Sequence, residues 1–231
     1  MSAAVLLDPA RLDRPDTSVQ HQPFPFMVAH GQLPDEIRGD LDRDFPRYSS
    51  AGFFPYDPVD CGPSVNALVR DMTSPAFARA IGQRLGIEGL DGYPTLVTVC
   101  RLLNKRHGTI HTDSKSKVAT ALIYLNQQWP NTSDGCLRFL QQIDDIDSVI
   151  APELTPLYGE FAVFKRCDNS FHGHLPYEGE RRVIQVAWLT SEDEKLRKTR
   201  RGKFSRVFKS LFGRLDTKLG AGRGRNASHP D

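Results

Sequence analysis

From Tyr93 onward the chain alternates apolar and polar positions with a period of two, whereas before it the apolar residues recur every three or four positions. TLVTVCRLL, VATALIYLN, GCLRFL, GEFAVFKR and RRVIQVAWL are β-rich runs divided by turn residues, and DSVIA is a shorter candidate. No long helical pattern separates them, so parallel crossovers are not expected. The sheet should be largely antiparallel and should curl into a barrel or two-sheet roll. Upstream, PFPFMVAHG reads as a short extended run. Pro34 followed by Asp35 and Glu36 marks a helix start, with Leu33, Ile37, Leu41 and Phe45 on one face and Pro46 ending it. Ser74 caps a second helix, with Phe77, Ile81 and Leu85 inward and Gly86 closing it. These two helices should back one face of the sheet.

The remaining segments carry no such period. Residues 1–22 are polar, contain Pro9 and Pro15, and read as a loose arm. Residues 47–66 are rich in Gly, Pro, Ser and aromatics and read as a long loop, a candidate lid through Phe53, Phe54 and Tyr56. The division is therefore an arm over 1–22, a helical and loop support over 23–92, a β core over 93–192 and a tail over 193–231.

Composition narrows the class. With 39% apolar and 25% charged residues, 231 residues suit one globular domain with short extensions. No stretch approaches the roughly 18 apolar residues of a membrane span. The N-terminus lacks the basic region and apolar core of a signal peptide. Cys61, Cys100, Cys136 and Cys167 form no C-x-x-C pair and read as reduced thiols of a cytoplasmic protein. Charge is uneven: residues 191–231 hold 12 Lys/Arg against 5 Asp/Glu, so the basic surplus belongs to the tail. Over 195–225, Phe204, Val207, Phe208, Leu211, Phe212, Leu215 and Leu219 follow the spacing of an amphipathic helix, with Lys203, Arg206, Lys209 and Lys218 opposite. Such a helix can dock on the catalytic domain or a second subunit, or lie peripherally at the inner face of a membrane. Nucleic acid ranks below both, because the basic face lacks interleaved aromatics.

The candidate chemistry lies on the β runs. His111 and Asp113 are two residues apart, so on an extended chain both point to one side. With His172 from SFHGH they make two imidazoles and a carboxylate, the set that leaves open positions on a non-haem iron. His174 is the alternative third ligand. Arg182 at the start of the last strand and Tyr124 could clamp a carboxylate, since a guanidinium offers a planar fork. Arg181, its neighbour, should then face away. Lys115 and Lys117 could meet an anionic substrate or line a solvated loop.

Taken together, H-T-D, A-L-I-Y-L-N-Q-Q-W, S-D-G-C-L-R-F, the distal His and R-V-I-Q-V-A-W resemble the prolyl-4-hydroxylase-type catalytic domain of iron(II)/2-oxoglutarate oxygenases, over roughly 93–190. The start PFPFMVAHGQLPDEI is similar to that of bacterial members. The resemblance implies a double-stranded β-helix, a jelly-roll barrel backed by N-terminal helices. It implies iron(II) on His111, Asp113 and His172, with 2-oxoglutarate as co-substrate and ascorbate as a candidate reductant. Arg182, supported by Tyr124, matches the residue for the 5-carboxylate. The implied reaction is hydroxylation of an unactivated C–H bond, coupled to decarboxylation of 2-oxoglutarate to succinate and CO2. Retention of Asp113 separates the chain from related halogenases, which carry a small residue there. Two departures stand out: the family's Gly-Gly is Asp134-Gly135, and Arg101 stands where hypoxia-type enzymes have a tyrosine. The alternatives are a non-catalytic binding protein on the same fold, or a cupin-type metal enzyme that does not use 2-oxoglutarate.

Overall fold

The computed structural model describes residues 5–200. The amphipathic helix read over 195–225 therefore lies outside the described residues beyond residue 200. Residues 192–200 are helical.

Among the described residues, nine strands form two sheets. The larger is built from β1 (Ser18–Gln20), β2 (Phe26–Ala29), β3 (Phe53–Pro55), β4 (Thr95–Leu103), β5 (Lys117–Tyr124), β7 (Phe161–Lys165) and β9 (Gly179–Leu189), in the order β1-β2-β7-β5-β9-β4-β3. All of its pairings are antiparallel. The smaller sheet pairs β6 (Arg138–Phe139) with β8 (His172–Gly173), extended by bridges at His111–His172, Leu137–Leu154 and Leu140–Val149. The two sheets face each other as a jelly roll, the double-stranded β-helix expected from the sequence. DSVIA contributes only the bridge at Val149.

Alternation along the central strands divides the apolar residues between two cores. Ala121, Ile123, Val163, Ile184, Val186 and Trp188 face α2 (Pro63–Met72) and α3 (Pro75–Leu85). Leu122, Tyr124, Ala162, Phe164 and Val183 face the smaller sheet and form the barrel interior with Phe26 and Phe139. Sidedness is firm because a one-residue slip would exchange the two sets. The site described below lies on the second face.

The part of the chain before the β core departs from expectation in three places. The first helix begins as a 3-10 turn, Asp35–Ile37, before α1 (Arg38–Asp44). Helix α2 starts inside the segment read as loop. Pro63 occupies its first turn, where a missing N–H costs nothing, and Val65, Leu68, Val69 and Met72 are buried. Ser74 caps α3 by accepting from the Phe77 N–H, and Gly86 ends it in the left-handed conformation, as expected. Residues 5–22 are not a loose arm: Leu7 and Leu12 are 1% and 2% exposed, and β1 pairs with β2. Their polarity hid two apolar anchors too sparse to show a period. Within 47–66, β3 pairs with β4 and Phe54 is buried, while Phe53 and Val59 are exposed. Among the described residues no helix is long and apolar enough to cross a membrane.

Candidate metal centre and carboxylate pocket

His111 and His172 meet through the backbone. Each N–H donates to the other's carbonyl, at 3.0 and 3.1 Å, in a single antiparallel bridge at the edge of the smaller sheet. Their rings are 4.4 Å apart between centroids. The Nδ1 of His111 lies 2.8 Å from the Thr109 carbonyl, and that of His172 lies 2.9 Å from the Ser170 carbonyl. A carbonyl can only accept, so each Nδ1 carries the proton and each Nε2 keeps a free lone pair. Two fixed imidazoles thus present acceptor nitrogens, as metal-ligating histidines do. Asp113 completes the group: one ligand atom from each of the three residues lies within 4.8 Å of the others. His174 is not part of it. It is buried beneath Gly108, with Nδ1 donating to the Leu175 carbonyl at 2.7 Å.

The carboxylate of Asp113 is 7% exposed and held at both oxygens. Lys117 Nζ donates to Oδ1 at 2.6 Å and Thr120 Oγ1 to Oδ2 at 2.5 Å. Burial alone would raise its pKa. The Lys117 and His172 charges and the two hydrogen bonds outweigh burial and hold the carboxyl well below its usual range. Burial, the largest influence on His172, drives its imidazole down to about 4. Asp113 is therefore an anion and His172 a neutral imidazole near neutral pH, the forms a divalent cation needs. Phe164 covers one side, its ring centroid 4.3 Å from that of His172.

Further along the same face of β5, Tyr124 lies opposite Val183, and beside it is Arg181. Arg181 is 3% exposed. Its Nε donates to the Gly135 carbonyl at 2.8 Å and its Nη2 to Tyr124 Oη at 3.0 Å. Burial raises the Tyr124 pKa against the pull of Arg181, so the phenol stays neutral. Among the described residues no carboxylate pairs with Arg181. A buried guanidinium with only neutral partners is costly unless an anion completes it.

Arg182, the residue expected from the sequence to hold the carboxylate, does not join this group. It points to the opposite face of β9 and pairs with Glu180 at 2.8 Å and with Asp42. Neighbours on a strand face opposite sides, so placing Arg182 outward puts Arg181 inward. The signal was present in the strand. Arg182 shares parity with Ile184, Val186 and Trp188, the helix-facing set, whereas Arg181 shares it with Val183 and Gln185. Arg101 belongs to the outer network, donating to Glu180 at 2.9 Å and to the Tyr48 carbonyl. Asp134 is tolerated in place of glycine because the demanding position is Gly135. That residue has φ +76°, and a Cβ there would meet Trp129 and Tyr177 at 2.9–3.1 Å.

Residues 97–190 match the family model described as 2OG-Fe(II) oxygenase superfamily. This segment belongs to that superfamily. The chain is similar to several solved structures. A Pseudomonas putida prolyl-4-hydroxylase is 20% identical with a TM-score of 0.48, over 79% of this chain and 97% of that one. A Trichoplax adhaerens prolyl hydroxylase, solved with a hypoxia-inducible-factor peptide, is 13% identical with a TM-score of 0.49, over 82% and 90%. HygX from Streptomyces hygroscopicus, solved with iron, is 12% identical with a TM-score of 0.46, over 71% and 81%. No curated protein matches in sequence. The superfamily's cofactors suit the residues present. The His–Asp–His set offers the donors iron(II) takes, and the guanidinium of Arg181, which has neutral partners only, offers a place for a carboxylate of 2-oxoglutarate.

Proposed function

We propose that His111, Asp113 and His172 hold the iron of this oxygenase, and that Arg181 with Tyr124 receives the distal carboxylate of 2-oxoglutarate. The enzyme then hydroxylates an unactivated C–H bond of its primary substrate. The observation that carries this reading is the buried, acid-free guanidinium on the same barrel face as the three ligand residues. When bound, iron(II) and 2-oxoglutarate supply the oxidative chemistry, in which dioxygen is consumed, the 2-oxo acid becomes succinate and CO2, and a C–H bond is hydroxylated.

The chain's own residues supply position and environment. The Thr109 and Ser170 carbonyls fix which nitrogen of each histidine faces the metal. Lys117 and Thr120 hold Asp113 ionised and in one orientation. Arg181 fixes the far end of the co-substrate through a planar pair of donors, itself fixed by Tyr124 and Gly135. Phe164, Leu122 and Val183 line the interior with apolar surface and keep water out.

The test is succinate formation from 2-oxoglutarate by the purified protein with iron(II), beside bound-iron measurement. His111→Ala and His172→Ala should each abolish both. Either variant retaining near-normal iron content and turnover would overturn the ligand assignment.

A further inference from the structure

The four-residue turn Ser114–Lys117 that follows the ligand pair is held by three separate pieces of the chain. Within it, the Lys117 N–H donates to the Ser114 carbonyl at 2.9 Å and the Ser114 and Ser116 hydroxyls lie 2.9 Å apart. From the end of β9, the Thr190 N–H donates to the Ser116 carbonyl at 3.0 Å. From the helix over 192–200, Lys198 Nζ donates to Ser114 Oγ at 3.0 Å. The C-terminal helix thus carries a second ammonium group to the turn on which Lys117 already stands.

Charge is unbalanced there. Lys117 has one carboxylate within ion-pair distance among the described residues, and that carboxylate is Asp113. Lys198 has none, its side chain being bonded to a hydroxyl. Arg166, whose Nε donates to the Asp113 carbonyl at 3.2 Å, is matched by Asp168, and Glu194 is matched by Arg197. If Asp113 is a metal ligand, its charge is shared with a divalent cation and Lys117 loses its paired carboxylate, while Lys198 keeps as a nearby acid only Glu194, which lies by Ser116 and is itself paired with Arg197. Lys117 side-chain exposure is 14%, so water compensates it poorly. Lys198 is also affected: burial, then Lys117, lowers its pKa, as expected of two ammonium groups facing one space.

We infer that Lys117 and Lys198, joined by the Ser114 and Ser116 hydroxyls, form an anion subsite beside the metal centre that takes a phosphoryl or carboxylate group of the primary substrate. The inference rests on the ligand assignment above for its link to catalysis, but not for its existence as an anion site. It differs from the Arg181 pocket in place and in chemistry. Arg181 is enclosed in the barrel and its fork suits a fixed carboxylate, whereas the lysines sit at the ligand turn, where one group comes from the C-terminal helix.

The test uses metal-free full-length protein at low ionic strength, where exposed charge pairs are least screened. Inorganic phosphate is titrated while the Ser114 and Ser116 amide resonances are followed. Saturable shifts at both are expected. Lys198→Gln should weaken binding by about fivefold or more, as loss of one charge-assisted partner implies. Asp113→Asn should tighten it, because Lys117 is then released from its carboxylate. A structural role for the lysines would not produce these opposite responses. Acetate in parallel identifies the group, with tighter phosphate marking a phosphoryl and tighter acetate a carboxylate. Absence of a saturable shift, or equal affinity in wild type and Lys198→Gln, would overturn the subsite. Succinate formation plays no part in the titration, so failure of the oxygenase assignment and failure of the subsite are told apart.

Discussion

Arg181 and Arg182 carry the same charge on the same strand, and their surroundings give them opposite roles. Arg181 is enclosed with Tyr124 and the Gly135 carbonyl, while Arg182 bridges Glu180 and Asp42 on the outer face. Removing one partner of a desolvated charge pair costs about 2–5 kcal/mol, so Arg181→Ala should raise the apparent KM for 2-oxoglutarate at least about tenfold. Arg182→Ala should leave that KM within about twofold and reduce folding stability by about 1 kcal/mol, the scale of a partly exposed ion pair. Steady-state kinetics on both variants decide the matter, and a larger KM change for Arg182→Ala would reverse the assignment. The clustering of His111, Asp113 and His172 was legible in the sequence because H-x-D fixes two of them on one side of an extended chain. The arginine was not. RRVIQVAWL is apolar on both faces, so counting from His172 gave no parity, and Gln185 was the one residue marking the inner side. The hydrogen bonds of Lys117 and Thr120 to Asp113 were likewise invisible, since they depend on how the turn folds back onto β5.

Among the elements, the turn before His111 is the most constrained. Gly108 has φ +93°, and a Cβ there would lie 2.1 Å from the His174 ring. Its carbonyl accepts the His174 N–H at 3.0 Å. Gly108→Ala must displace either the imidazole or the loop carrying His111. We expect iron(II) affinity to fall by about tenfold or more, as for changes that disturb the support of a metal ligand. An unaltered affinity would show that the loop moves independently of the ligand. Farther away, Ser74→Ala removes the cap on α3 and should lower stability by about 1 kcal/mol in urea unfolding, with no change in iron affinity. Strands β4, β5, β7 and β9 were readable because their runs are long and bounded by turn residues. Helix α2 was not, because Gly62-Pro63 reads as loop until its four buried apolar residues are seen to share a face.

At the level of the whole molecule, two buried imidazoles tie folding to pH. His172 and His174 are both pushed down to about 4 from an ordinary 6.5, in each case chiefly by burial. Their folded pKa is depressed, so the unfolded chain binds more protons. The stability they contribute is fully present above about 6.5 and is lost as pH falls toward about 4. Urea midpoints of the metal-free protein should therefore drop across that window, and His174→Gln should flatten the drop; a flat profile in the wild type would contradict the burial of these rings. One consequence of the inner face of β5 reaches beyond stability. Thr120, which holds Asp113, and Tyr124, which holds Arg181, are four residues apart on one strand, about 13 Å along its axis. That strand is clamped between β7 and β9, so the interval cannot stretch without shifting the sheet. On the proposed assignment of Asp113 and Arg181, the sheet would act as a ruler for the co-substrate. Two-oxo diacids one carbon shorter or longer than 2-oxoglutarate should support markedly slower turnover, however well their two ends are recognised separately.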